Sequence, residues 1–171
     1  MSKLAGFAYT PQNVRELDRI AIHEVGIPGY ELMSRAGRAA FIAAVDRFPD
    51  ARRWHVLCGA GNNAGDGYII ARLARQSGCE VTVSALGDAI RLSGDAGRAY
   101  REFLKSGGAA MPFEESCLDD ADLLVDAMLG TGLDRPLQGV YLAAVKTVSQ
   151  TSAPVVAVDI PSGLNGLNGE V

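Results

Sequence analysis

Five short apolar runs, separated by stretches with helical spacing, constrain this chain more than any other feature. The runs are His55–Cys58, Val81–Ala85, Ala109–Phe113, Leu123–Ala127 and Val155–Ile160. Helices are predicted between them near Gly67–Gln76, Asp95–Lys105 and Gly139–Ser149. Ser93 is a suitable N-cap, and Gly78 and Gly107 are suitable C-terminal stops. Strands this uniformly apolar are buried on both faces, which a parallel sheet between two helical layers provides. The predicted fold is therefore α/β: a three-layer, Rossmann-like, doubly wound and mainly parallel sheet. At 171 residues the chain fits one domain with a substantial core.

Two helices precede the sheet. Thr10-Pro11 offers an N-cap and a proline at the first helical position, and Val14, Leu17, Ile20 and Ala21 follow at helical spacing. Gly26-Ile27-Pro28-Gly29 breaks this helix. A second is predicted from Tyr30 to Phe48, with Leu32, Met33, Ala36, Ala40 and Ala43 on its apolar stripe. Small residues between Gly37 and Ala44 allow close packing on a neighbour, either within the chain or in a second copy.

Composition excludes several classes. With 16 Lys and Arg against 20 Asp and Glu the net charge is -4, and no basic run is interleaved with aromatics, so nucleic acid is not an expected partner. Cys58, Cys79 and Cys117 are odd in number and scattered, unlike a disulfide framework or a zinc site, and a reducing cytoplasm is the simplest location. Met1–Thr10 lacks the apolar core of a signal peptide. The longest strongly apolar helical run, Ala39–Val45, is too short to span a membrane.

In doubly wound sheets ligands bind beyond the carboxyl ends of the strands. Three segments lie there. The first, Gly59-Ala60-Gly61-Asn62-Asn63-Ala64-Gly65-Asp66-Gly67, is a glycine-rich turn leading into a helix, a setting that receives phosphate. Asn62, Asn63 and Asp66 exceed that need, because a carboxylate repels phosphate; they suggest a cation or a managed proton. The second runs from Asp126 through Gly130-Thr131-Gly132-Leu133-Asp134-Arg135-Pro136, with amides, a hydroxyl and an arginine. A carboxylate at a buried strand end is costly unless paired or bound to an ion; capping a nearby turn is the alternative for Asp126. The third is Asp159-Ile160-Pro161-Ser162-Gly163. Partial desolvation there would raise the pKa of Asp159 toward a range useful for acid–base work, whereas bonding loop amides would make it structural.

Other chemistries fit less well. Gly59, Gly61 and Ala64 satisfy a dinucleotide fingerprint, but the next strand ends Ser84-Ala85-Leu86-Gly87, and Asp88 follows too late to serve as its acidic partner. No phosphate-loop motif with Lys-Ser or Lys-Thr occurs. Ser162 lacks a nucleophile-elbow setting, and His23 and His55 fall in a helix and a strand. Three carboxylates (Asp66, Asp126, Asp159) beside neutral oxygens of Asn63, Thr131 and Ser162 suit a hard cation.

These motifs, in this order, resemble the YjeF N-terminal domain family, the NAD(P)H-hydrate epimerases, with minor echoes at Thr10-Pro11-Gln12 and Leu32–Gly37. The resemblance implies an isomerase that interconverts the R and S forms of NAD(P)HX, the cofactor hydrated at its nicotinamide ring, so that a companion dehydratase can restore it. By motif, Asn62, Asn63, Ala64, Gly65 and Asp66, together with Gly130, Thr131, Gly132, Leu133, Asp134, Arg135, Pro136 and Asp159, would contact the hydrated dinucleotide. Asn63, Asp126 and Ser162 would hold a potassium ion, and Asp159 would be the acid–base group. Family members often pair, which implies a homodimer. They also continue beyond the point where this chain ends at Val171, so residues 1–171 correspond to a single epimerase-like domain truncated at its C-terminal end, as in the front of a bifunctional protein. The family usually has glycine where this chain has Ala64. The same fold also occurs in non-catalytic binding modules, and an oxidoreductase is the further alternative.

Overall fold

Which strands pair is decided by burial. The computed structural model describes residues 9–118, 120–133 and 135–171, with the backbone alone for Cys117. The strands β1 (Arg53–Cys58), β2 (Glu80–Ala85), β3 (Ala110–Pro112), β4 (Leu123–Ala127) and β5 (Val155–Ala157) form one sheet in the order β3-β2-β1-β4-β5. Every neighbouring pair is parallel. The helices are α1 (Pro11–His23), α2 (Gly29–Arg47), α3 (Asn62–Gln76), α4 (Gly94–Lys105) and α5 (Gly139–Gln150).

The central strands alternate between two cores. Trp54, Val56 and Cys58 of β1, with Leu123 and Val125 of β4, pack beneath α2, α3 and α4. Leu57 and Leu124 point the other way, against Ala144 and Val145 of α5. Each fully buried Leu or Val contributes about 1.5–3 kcal/mol relative to exposure, so β1 and β4 anchor the sheet. His55, on the second face, is satisfied by a 2.8 Å contact from its Nε2 to the Ser84 hydroxyl.

The edge strands are shorter than predicted. The register pairs Asp126 with Ala157, so β4 ends one residue later and leaves Val158 its last ladder bond, 3.0 Å to the Asp126 carbonyl. Val158, Asp159 and Ile160 therefore leave the sheet, although they read as strand. Likewise β3 narrows to three residues.

One helix start and two helix ends follow their predicted caps, while Ser93 stands at the N-cap position of α4 without a side-chain cap bond. Thr10 caps α1 by accepting from the Asn13 N–H at 3.2 Å, and Gly78 and Gly107 take positive φ just after α3 and α4. The inward face of α2 keeps Met33 and Ala40 of the predicted stripe but shifts by one position at Ala36 and Ala43. Met33, Gly37, Ala40, Phe41 and Ala44 turn inward, while Ala36 and Ala43 are exposed. Gly37 sets this rotation, because a methyl there would press on Ile69 of α3 at 2.8 Å.

The larger correction concerns α3, which begins at Asn62 rather than near Gly67. Gly65 and Gly67 suggested loop, yet both are helical. A side chain at Gly65 would meet Met33 Sδ at 2.6 Å, and one at Gly67 would meet Ala127 Cβ at 2.6 Å. The helix accepts a propensity cost of about 1 kcal/mol per glycine relative to alanine because it must lie this close to α2 and β4.

Candidate active site

The chain runs outward from β1 through β2 to β3, then returns to β4 on the opposite side of β1. The turns after β1 and β4 therefore open at the point where the strand order reverses, the usual ligand site of such sheets. They touch directly. The Gly59 N–H donates to the Ala127 carbonyl at 3.1 Å, and any side chain on Gly59 would collide with the Met128 carbonyl. The open turn is thus only Gly59–Gly61, and Asn62, Asn63 and Ala64 form the first turn of α3. First-turn N–H groups lack intrahelical acceptors; Ala64 finds one in the Gly61 carbonyl at 3.1 Å.

Asp126 and Ser162, predicted as a ligand pair, are brought together. The Ser162 N–H donates to Asp126 Oδ2 at 2.7 Å, and its hydroxyl lies 2.6 Å from Oδ1. The Met128 N–H donates to the same Oδ1 at 3.1 Å. The hydroxyl also accepts from the Leu129 N–H at 3.0 Å and lies 3.1 Å from the Leu129 carbonyl. One hydroxyl proton cannot serve both acceptors; the shorter, charge-assisted contact takes it. Asp126 is 4% exposed, and these donors are what make a carboxylate tolerable there.

Asp159 is placed differently from expectation. It is exposed rather than desolvated, and its Oδ2 accepts the Thr131 N–H at 2.7 Å. A side chain at Gly130 would run into this carboxyl group, so glycine is what lets the turn after β4 close onto Asp159. The desolvated acid is Asp66. Its Oδ1 is buried without a hydrogen-bond partner among the described residues. Burial, then the nearby charges of Asp159 and Asp18, pushes its pKa up to about 7. Asp18, exposed on α1, adds to this shift through its charge, a contribution that no motif signalled. Asn63 Nδ2 is likewise buried without a partner among the described residues.

Of the remaining predicted contacts, Ala64 and Gly65 are buried and serve helix packing, while Asn62, Gly132, Arg135 and Pro136 are exposed. Thr131 and Leu133 border a recess of about 510 Å³ that also includes residues of α1. Asp134 lies outside the described residues. Tyr141 of α5, not singled out by sequence, hydrogen-bonds the Ala60 backbone, and burial pushes its phenol pKa up. No group of three or more His, Cys, Asp or Glu suited to a metal occurs among the described residues. No helix among them is long and apolar enough to cross a membrane.

This is a doubly wound parallel α/β domain whose polar site gathers at the strand-order reversal. Residues 29–171 match the family described as YjeF-related protein N-terminus, and the chain belongs to that family. It is 42% identical over 163 residues to the bifunctional NAD(P)H-hydrate repair enzyme Nnr of Coxiella burnetii, covering 95% of this chain and 33% of that protein. It is 37% identical to the NAD(P)H-hydrate epimerase of Limosilactobacillus fermentum, covering 96% of this chain and 78% of that one. The chain thus spans about a third of the bifunctional relatives. The crystal structure of yeast YNL200c superposes with a TM-score of 0.87 at 21% identity, over 96% of this chain and 74% of that one, a likeness of fold.

Proposed function

We propose that this chain is an isomerase that interconverts the R and S epimers of NAD(P)H hydrated at C6 of the nicotinamide ring. The observation that carries this reading is a pair of acids at the strand-order reversal, Asp159 held by the Thr131 N–H and Asp66 with its Oδ1 buried without a partner among the described residues and its pKa raised in part by the charge of Asp159, in a chain 37% identical to a named epimerase. Epimerisation requires the hydroxyl-bearing carbon to lose its configuration, by departure of hydroxide or by ring opening. Asp159, exposed to an incoming substrate, is the group that moves the proton. The substrate lies along the exposed Asn62 and its neighbours Asn63 and Asp66, and along the turn Gly130–Leu133, with Thr131 and Gly132 within its reach.

A potassium ion suits the same corner. Asp126, the Ser162 hydroxyl and the Leu129 carbonyl supply oxygen alone, the donor type hard cations take. The carboxylate retains lone pairs beyond its three N–H and O–H donors. Asn63 adds an amide with a buried atom lacking a partner; turning that amide would present its oxygen. Bound there, the ion would offset the charge of Asp126 and fix the turn after β4. The reading extends to a cytoplasmic repair pathway, a covalent or functional link to a hydrate dehydratase, and a homodimer. For the last, Ala39, Ile42 and Ala43 on the outer face of α2 are exposed.

The test is the interconversion of R- and S-NADHX by the purified chain, followed by chromatography in potassium and in sodium. Acceleration over the spontaneous rate, strongly reduced in Asp159→Asn, is expected. A folded protein without acceleration overturns the function, and an unimpaired Asp159→Asn overturns the acid–base assignment.

A further inference from the structure

We propose that the recess between α1 and the turn Gly130–Leu133 seats a phosphate group of the substrate, with Arg15 as its charged contact. This rests on the epimerase reading and names how that site grips the part of the dinucleotide that does not react. The recess, about 510 Å³, is walled by Thr10, Gln12 and Arg15 on one side and by Thr131, Gly132 and Leu133 on the other. Arg15 is the sole charged side chain lining it among the described residues.

Three observations converge on Arg15. Its neighbour on α1, Arg19, is neutralised by Glu16 at 2.8 Å and Glu24 at 2.7 Å, whereas Arg15 makes no ion pair among the described residues. The adjoining site is anionic, with Asp66, Asp126 and Asp159, so a phosphate-bearing ligand is pushed away from those carboxylates and toward an unneutralised cation. Finally, Thr131 belongs to both places: its N–H holds Asp159 and its residue lines the recess. A substrate with its reacting ring at Asp159 can therefore extend past Thr131 into the recess that Arg15 lines. Arg135, just beyond the turn after β4, does not line the recess. Arg15 also lies before residue 29, where the family match begins.

A guanidinium fork pairs with phosphate oxygens two at a time. The hydrated dinucleotide offers a pyrophosphate and, in NADPHX alone, a 2′-phosphate. Steady-state rates with NADHX and NADPHX, for the parent chain, Arg15→Gln and Arg15→Lys, distinguish these. Calorimetric binding of NADH and NADPH serves as a probe independent of turnover. Arg15→Gln is expected to raise KM about ten-fold with a smaller change in kcat, and Arg15→Lys to recover part of the loss. Loss with both substrates assigns the pyrophosphate, and loss confined to NADPHX assigns the 2′-phosphate. Unchanged KM and unchanged probe binding in Arg15→Gln overturn the proposal while leaving the epimerase reading intact. An inactive parent whose NADPH binding still depends on Arg15 overturns the epimerase reading and leaves the phosphate seat standing. Arg15 is exposed, so its replacement removes no core contact.

Discussion

Ser162 closes both oxygens of Asp126: its backbone N–H meets Oδ2 at 2.7 Å and its hydroxyl meets Oδ1 at 2.6 Å. Two residues far apart in sequence thereby lock the turn after β5 onto the end of β4. The lock is also what allows a carboxylate to remain buried at the sheet's centre, because desolvating an unpaired one would cost far more than a neutral group.

Ser162→Ala keeps the backbone bond and removes the hydroxyl, so Asp126 Oδ1 retains only the Met128 N–H. The expected loss is about 1–3 kcal/mol, the cost of leaving a buried acceptor short of a donor. Urea unfolding measures it. A loss near zero would mean that water or an ion already satisfies Oδ1.

A bound cation adds a linked prediction. Ligands that bind only the folded state raise its stability by mass action. Exchanging sodium for potassium at fixed ionic strength should therefore raise the melting temperature of the parent chain and leave Ser162→Ala and Asp126→Asn nearly unmoved. Equal shifts in all three proteins would place the potassium effect elsewhere.

Gly130→Ala tests the closure on Asp159. Its added methyl collides with the Asp159 carboxyl, so either the turn or the acid must move, and the Thr131 N–H bond is lost. Displacements near 1 Å at a reacting group cost on the order of a hundred-fold in rate. Epimerisation should fall by about that factor while circular dichroism stays unchanged, since Gly130 lies outside the helices and strands. Retained activity would show that Asp159 need not be held.

Much of this was legible in the chain itself, and the exceptions share a cause. The continuous apolar runs of β1 and β4, set between helical stretches, are local and strong signals, so the sheet, its parallel sense and the three converging turns follow from them. Asp126 and Ser162, grouped by motif, lie in hydrogen-bond contact. Gly65 and Gly67 misled because glycine signals a turn locally, whereas here it answers contacts from Met33 and Ala127, which only the tertiary arrangement supplies. On α2 the predicted Met33 and Ala40 do face the core, but Gly37 and Ala44 replace Ala36 and Ala43 there for the same reason, since Gly37 meets Ile69. Burial of an acid also depends on what packs over it. Asp159, expected to be partly desolvated, is exposed, whereas Asp66, on the first turns of α3, is the acid whose pKa burial raises.

Asp66 yields a prediction whose sign can be worked out. Its folded-state pKa of about 7 stands above the ordinary 3.8, raised by burial first and by Asp159 and Asp18 next. The folded chain therefore binds a proton that the unfolded chain has already released. Stability from this group is fully present below about pH 4, declines as pH rises, and is lost once pH passes about 7. Asp66→Asn carries no such titration. The two proteins should differ little at pH 4, and the variant should be the more stable at pH 8. The gain there is on the order of 1 kcal/mol, a fraction of the full linkage because the carboxyl still partly meets water. Melting curves across this range read the difference directly, since every other titrating group is common to both proteins. A constant gap from pH 4 to pH 8 would mean that Asp66 is ionised throughout and that its buried oxygen has found a donor.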